Sequence, residues 1–151
     1  MKKENIKSFK LIGINLDSKT TNLNGQSNKD CGALWKKFEE EKIFERIPDK
    51  LENNCYAVYY DYDSNEQGNF AYFIGCRVPM LTKAPEGLSE LIVPKGSYQK
   101  QTAKGQLPQC IAETWQNIWK SSIERNFNCD FEVYDERSHN WENGEVDIYL
   151  S

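Results

Sequence analysis

Short runs of β-forming residues alternate along the chain with two amphipathic segments. Strands are predicted at residues 7–16, 55–62, 69–78, 90–93, 97–103, 129–136 and 145–150, where β-branched and aromatic residues are enriched. The pattern is clearest in residues 69–78, where every second side chain is apolar: Phe70, Tyr72, Ile74, Cys76 and Val78. This period of two is typical of a strand with one face in a core.

Two segments have the apolar spacing of helices instead. The first begins at the capping residues 27–30 and runs to Ile47, where Pro48 stops it. The second begins at Pro108, a residue that suits the first turn of a helix, and runs to about Arg125. Both predicted helices are long enough to cover part of a sheet.

The order strand–helix–strand–strand occurs twice, which indicates an internal repeat of residues 6–78 and 90–151. We therefore predict a single domain over residues 1–151, of the α+β class. Its sheet is expected to be mostly antiparallel, with about eight strands and with both long helices on one face. The cleft between those helices is the expected place for a pocket.

A short phrase of the sequence is also repeated, at residues 55–61 (Cys-Tyr-Ala-Val-Tyr-Tyr-Asp) and 129–135 (Cys-Asp-Phe-Glu-Val-Tyr-Asp). Its Cys, Tyr and final Asp positions match, but Val58 of the first copy aligns with Glu132 of the second. A carboxylate inside an apolar strand is expensive to bury, so it must be hydrogen-bonded, paired or protonated. Glu132 is therefore the first candidate for a functional residue.

Composition and charge count against several classes of function. The 151 residues carry a formal net charge of −4, which disfavours nucleic-acid binding over a broad face. No apolar run approaches the roughly 20 residues that cross a bilayer, and the N-terminus lacks the apolar core of a secretory signal. The five cysteines are an odd number and widely spaced, so we expect free thiols in a reducing compartment and a cytoplasmic protein.

Few residues suggest catalysis or cofactor binding. The single histidine, His139, lies in a polar loop, so no catalytic triad is predicted. The sequence has no metal-ligand spacing, P-loop or dinucleotide fingerprint, and we predict neither a metal nor a cofactor.

Five weak motifs lie in a recognisable order: Tyr72–Val78, Val93–Gly105, Thr114–Trp119, Phe131–Tyr134 and Val146–Leu150. Through them the chain resembles, from Ile6 to Ser151, the effector-binding domain of bacterial transcription activators, which belongs to the gyrase-inhibitor-like small-molecule-binding superfamily. The resemblance implies two strand–helix–strand–strand modules around a central pocket. It also implies that hydrophobic cations bind through one buried Glu, which falls on Glu132, and an aromatic lining.

The resemblance extends to the stand-alone members of the superfamily, because no helix-turn-helix region is present. We therefore expect no nucleic-acid binding by this chain alone and no membrane partner. A hydrophobic or cationic small molecule is the expected ligand, and the chain is expected to be a monomer or a homodimer.

The predicted ligand-binding residues are the candidate acid and the aromatic residues expected around it: Glu132, Trp115, Tyr60, Tyr72, Trp35, Phe38, Trp119 and Tyr134. Two alternatives stay open. Glu132 and Tyr134 could instead face water while Phe131 packs inward. Trp115 and Trp119 have the spacing of a core-facing stripe as well as of a pocket wall.

Two classes of function use the same carboxylate. A stand-alone binding module would hold an amphipathic cation in the aromatic pocket, and the sequence favours this hypothesis. A hydrolase of reactive electrophiles would use Glu132 as acid, base or nucleophile. A third possibility, a DNA-mimicking inhibitor of another protein, is disfavoured because the acidic residues are dispersed among 19 Lys and Arg residues.

Overall fold

A computed structural model describes residues 2–151, and within them it contains nine strands and three α-helices. The strands are β1 (Lys2–Ile6), β2 (Phe9–Asn15), β3 (Thr20–Thr21), β4 (Cys55–Tyr60), β5 (Asn69–Val78), β6 (Ser89–Val93), β7 (Gly96–Gly105), β8 (Cys129–Tyr134) and β9 (Gly144–Leu150). The helices are α1 (Gln26–Glu40), α2 (Ile43–Arg46) and α3 (Gln109–Lys120). None of these helices, all within the described residues, is both long and apolar enough to span a membrane.

The sheet is antiparallel, with the strand order β1-β7-β9-β8-β4-β5-β2-β6, and β3 pairs with β5. Strands β4 and β8 are neighbours at its centre. The predicted α+β class is confirmed, with nine strands rather than eight. The two halves share one strand order about this central pair, but the repeat over residues 6–78 and 90–151 stays a prediction.

Some predicted boundaries were wrong. The first helix breaks after Glu40, because Lys42 adopts a left-handed conformation (φ 53°) before the short α2 begins. Its N-terminal cap is Gly25 rather than residues 27–30, and the cap makes no side-chain hydrogen bond to the first turn of the helix. The second helix ends at Lys120, since Ser121 is extended.

Both long helices pack on the same face of the sheet. Leu34 and Phe38 of α1 are buried against the β2–β5 half, and Trp115 and Ile118 of α3 are buried against the β7–β9 half. Tyr59 on β4 packs against both cores. The cleft between α1 and α3 therefore lies above the central strands.

The opposite face of the sheet carries its own buried aromatic cluster, which includes Tyr56, Val58 and Phe131. In the observed register Val58 pairs with Phe131, whereas Glu132 pairs with Ala57. Val58 and Glu132 consequently lie on opposite faces, so the sequence alignment that made them equivalent was wrong. A shift of one residue in a strand reverses the face of every side chain.

Candidate functional site

Glu132 lies on β8 under the cleft and is only 1% exposed. Its Oε2 accepts hydrogen bonds from the indole Nε1 of Trp115 at 2.6 Å and from the hydroxyl of Tyr59 at 2.9 Å. Its Oε1 accepts a bond from the hydroxyl of Tyr134 at 2.7 Å. The alternative in which Glu132 faces water is therefore wrong.

The protonation of Glu132 is governed by opposing effects. Burial raises the pKa of the carboxyl above its ordinary value, and the hydrogen bonds from Trp115, Tyr134 and Tyr59 oppose that rise. Burial also raises the pKa values of Tyr59, Tyr72 and Tyr134 well above the usual range. These phenols remain protonated at neutral pH and can keep donating.

The raised pKa of Glu132 predicts how the stability of the ligand-free protein depends on pH. A carboxyl whose folded-state pKa lies above its unfolded value stabilises the fold below the unfolded pKa and loses that contribution as pH rises through the folded pKa. Glu132→Gln does not titrate. The free energy of unfolding of this variant should therefore increase relative to that of the wild type as pH rises from about 4, by up to about 1.4 kcal/mol per pH unit.

Urea unfolding across a pH series measures this difference. Glu142→Gln, at an exposed loop position, is the matched control and should follow the wild-type curve. A constant difference between Glu132→Gln and wild type at all pH values would contradict the raised pKa.

The cleft contains a cavity of about 620 Å³, with Glu132 in its lining. The indole Nε1 of Trp35, on α1, donates to the hydroxyl of Tyr72 at 2.8 Å, and its ring meets that of Tyr134 edge-on at 5.0 Å. The ring of Tyr59 lies 5.0 Å from Tyr72 and 5.1 Å from Trp115. The aromatic rings thus form one continuous wall that joins the two helices across the central strands.

Six of the predicted site residues line this cavity together: Glu132, Trp115, Tyr72, Trp35, Trp119 and Tyr134. Trp115 is buried, whereas Trp119 is 36% exposed, so they do not form one core stripe. Two predicted residues lie elsewhere. Tyr60 packs with the aromatic cluster on the far face of the sheet, and Phe38 is buried beneath α1.

Sequence reasoning missed several residues of the cavity wall, among them Tyr59, Tyr62, Cys31 and Arg125. Tyr59 takes the place expected for Tyr60, and neighbouring tyrosines on one strand give no signal of which faces the helices. Arg125 lies beyond the end of α3, where the helical spacing that guided the prediction has ceased.

A second concavity lies between β7 and the end of α3 and is lined by two lysines, four uncharged polar residues and two isoleucines. It contains neither an aromatic ring nor a carboxylate. No group of three or more His, Cys, Asp or Glu residues suited to a metal ion is found among residues 2–151. The aromatic cavity around Glu132 is therefore the better candidate site.

The antiparallel sheet with a cavity between two helices suits a domain that binds a small molecule, and the sequence comparison shows which family of domains this is. The family of integron-associated effector binding proteins, Cass2, matches residues 4–151, and the chain belongs to this family. This confirms the predicted relationship at the level of an effector-binding family. A comparison with curated proteins finds no match.

Several solved structures share the fold. An integron cassette protein from the mobile metagenome of Vibrio cholerae has 23% identity and a TM-score of 0.75, with 99% of this chain and 94% of that chain covered. SAV2435 bound to tetraphenylphosphonium has 13% identity and a TM-score of 0.74, with 99% and 91% covered. A putative transcription regulation protein from Staphylococcus aureus MU50 has 13% identity and a TM-score of 0.72, with 99% and 95% covered.

Proposed function

We propose that this protein binds amphipathic organic cations in the cavity between α1 and α3, with Glu132 as the counter-charge. The observation that carries the proposal is a fully buried carboxylate in the wall of an aromatic cavity. No Lys, Arg or His among the described residues 2–151 forms an ion pair with Glu132. A bound cation would supply the charge that the protein does not.

The aromatic wall adds to this electrostatic attraction. A cation over the face of Trp or Tyr gains about 0.5–2 kcal/mol, depending on how far it is desolvated. Trp35, Tyr59, Tyr72 and Tyr134 are within reach of a ligand that fills the cavity. A volume of about 620 Å³ is in the range of sites for small organic ligands.

The comparisons support a ligand of this kind. The family is one of effector-binding proteins, and SAV2435, which shares the fold, was solved with tetraphenylphosphonium, a hydrophobic cation. Tetraphenylphosphonium is therefore a suitable probe for this protein.

The hydrolase alternative receives less support from the geometry. A general base or nucleophile needs a free lone pair directed at the substrate or at a water molecule. Three donors at 2.6–2.9 Å already occupy most of the roughly four lone-pair sites of the Glu132 carboxylate, which leaves one site on Oε1. Binding needs only the charge, which these donors stabilise and hold in place.

The affinity for tetraphenylphosphonium should depend on pH through Glu132. Only the ionised carboxylate attracts the cation, so affinity falls as pH drops through the pKa of Glu132, by up to about tenfold per pH unit. Because burial raises that pKa, the fall begins at a higher pH than for an exposed carboxyl. Trp115→Phe removes a hydrogen bond that lowers the pKa, and should move the fall to still higher pH.

Fluorescence or calorimetric titration of the wild type and Trp115→Phe across the pH range in which both stay folded checks this prediction. The midpoint of the pH dependence is the quantity to compare, because the substitution also removes aromatic surface. An affinity that does not vary with pH over that range would contradict the proposed role of Glu132.

A further inference from the structure

Arg125 lies in the wall of the same cavity and has an incomplete set of hydrogen bonds. Its side chain is only 5% exposed, and its Nη2 donates to Oδ2 of Asp130 at 2.6 Å. Its Nε is buried and has no hydrogen-bond partner among residues 2–151. A buried donor without a partner is costly, and a native structure contains few of them.

Asp130 neutralises Arg125 and is itself held firmly. Its Oδ2 also accepts a hydrogen bond from the hydroxyl of Tyr62 at 2.6 Å, and its Oδ1 accepts one from the backbone N–H of Ser151 at 2.9 Å. The charge of the guanidinium is therefore balanced within the protein, so Arg125 does not prevent a cation from binding nearby. The Nε–H of Arg125 has no acceptor among the described residues and is left for a neutral acceptor on a ligand.

Arg125 and Glu132 both contact the indole of Trp115, Arg125 over its ring and Glu132 at its Nε1. The indole Nε1 donates to Glu132, while the guanidinium carbon of Arg125 lies 5.7 Å from the ring centroid. The ring of Phe127 packs against the guanidinium at 4.2 Å, which restricts its movement. A ligand lying along Trp115 could reach the carboxylate with one end and the guanidinium with the other.

We infer that Arg125 is a second polar contact of the site and selects cations that also carry a neutral acceptor oxygen, such as a ketone or an ether. This inference rests on the proposed function, because it assumes that the cationic end of the ligand is held at Glu132. It adds a requirement that the carboxylate alone does not impose.

A matched pair of phosphonium ions tests the inference. Hexyltriphenylphosphonium and (5-oxohexyl)triphenylphosphonium have the same charge and chain length, and only the second has a ketone oxygen. The wild type should bind the ketone about tenfold more tightly, the effect expected of one hydrogen bond to a charged donor. Arg125→Lys keeps the ion pair with Asp130 but loses Nε, so its affinity for the ketone should fall to that for the hexyl compound.

Arg46→Lys, at an exposed position outside the cavity, is the control and should keep the wild-type preference. If Arg125→Lys does not fold, Arg125→Gln combined with Asp130→Asn removes both charges and should abolish the preference in the same way. Equal affinities in the wild type, or an unchanged preference in the variants, would overturn the inference.

Failure of the proposed function would look different. Glu132→Gln should weaken both phosphonium ions and leave the preference for the ketone in place. If neither ion binds the wild type, or if Glu132→Gln binds both as tightly as the wild type, the proposed function fails and the inference about Arg125 fails with it. Binding of both ions without a preference overturns the inference alone.

Discussion

Glu132→Gln is expected to weaken the binding of tetraphenylphosphonium at least about tenfold, or about 1.4 kcal/mol. The substitution removes the charge and leaves the size of the side chain almost unchanged. Trp115, Tyr59 and Tyr134 all donate to this carboxylate. Glu66, the other carboxylate in the cavity lining, shares none of these donors. Quenching of tryptophan fluorescence provides the measurement, because Trp35 and Trp115 both line the cavity.

The control for this experiment is Glu142→Gln, which changes the net charge equally at an exposed position outside the cavity. Its affinity should equal that of the wild type. Thermal unfolding of both variants shows whether each is folded under the conditions of the titration. Wild-type affinity in a folded Glu132→Gln protein would refute the electrostatic role of Glu132.

Gly13→Ala is expected to destabilise the fold by about 3 kcal/mol. Gly13 on β2 pairs directly with Gly75 on β5. A Cβ at residue 13 would overlap the carbonyl oxygen of Ile74 and approach the Cα of Gly75 at 2.6 Å. These are backbone atoms in the interior of the sheet, so the clash is relieved only by separating the two strands.

Gly32→Ala is the matched control for that substitution. Gly32 lies inside α1, and a Cβ there would meet nothing within 4 Å. Alanine has the higher helix propensity, so this variant should gain up to about 1 kcal/mol. Urea unfolding of both variants gives the comparison, and a Gly13→Ala protein as stable as the wild type would contradict the close pairing of β2 and β5.

Most of the fold could be predicted because its strands and helices have clear periodicity. The alternation in residues 69–78 gave the bounds of β5, although Phe73 is also buried, on the other face. Strand β1 was missed because its sequence, Lys-Lys-Glu-Asn-Ile, is polar and contains no apolar alternation. It pairs with β7 through backbone hydrogen bonds, and its side-chain pattern gives no sign of this pairing.

The site was predictable only in part. Glu132 was found because a carboxylate interrupts an apolar strand, and the resemblance to a known superfamily gave it a role. The choice of Tyr60 over Tyr59 depended on aligning two strands by sequence. In the observed register Tyr59 lies on the same face as Glu132, and Tyr60 lies on the opposite face. Arg125 could not be found this way, since its position is set by an ion pair with Asp130 rather than by periodicity.

Four dissociation constants show whether the charge of the ligand is held by the charge of Glu132. Benzyltrimethylammonium and neopentylbenzene, its neutral carbon isostere, are each titrated into the wild type and into Glu132→Gln. The wild type should prefer the cation at least about tenfold, and Glu132→Gln should have lost this preference. An equal preference for the cation in both proteins would contradict the electrostatic role of Glu132.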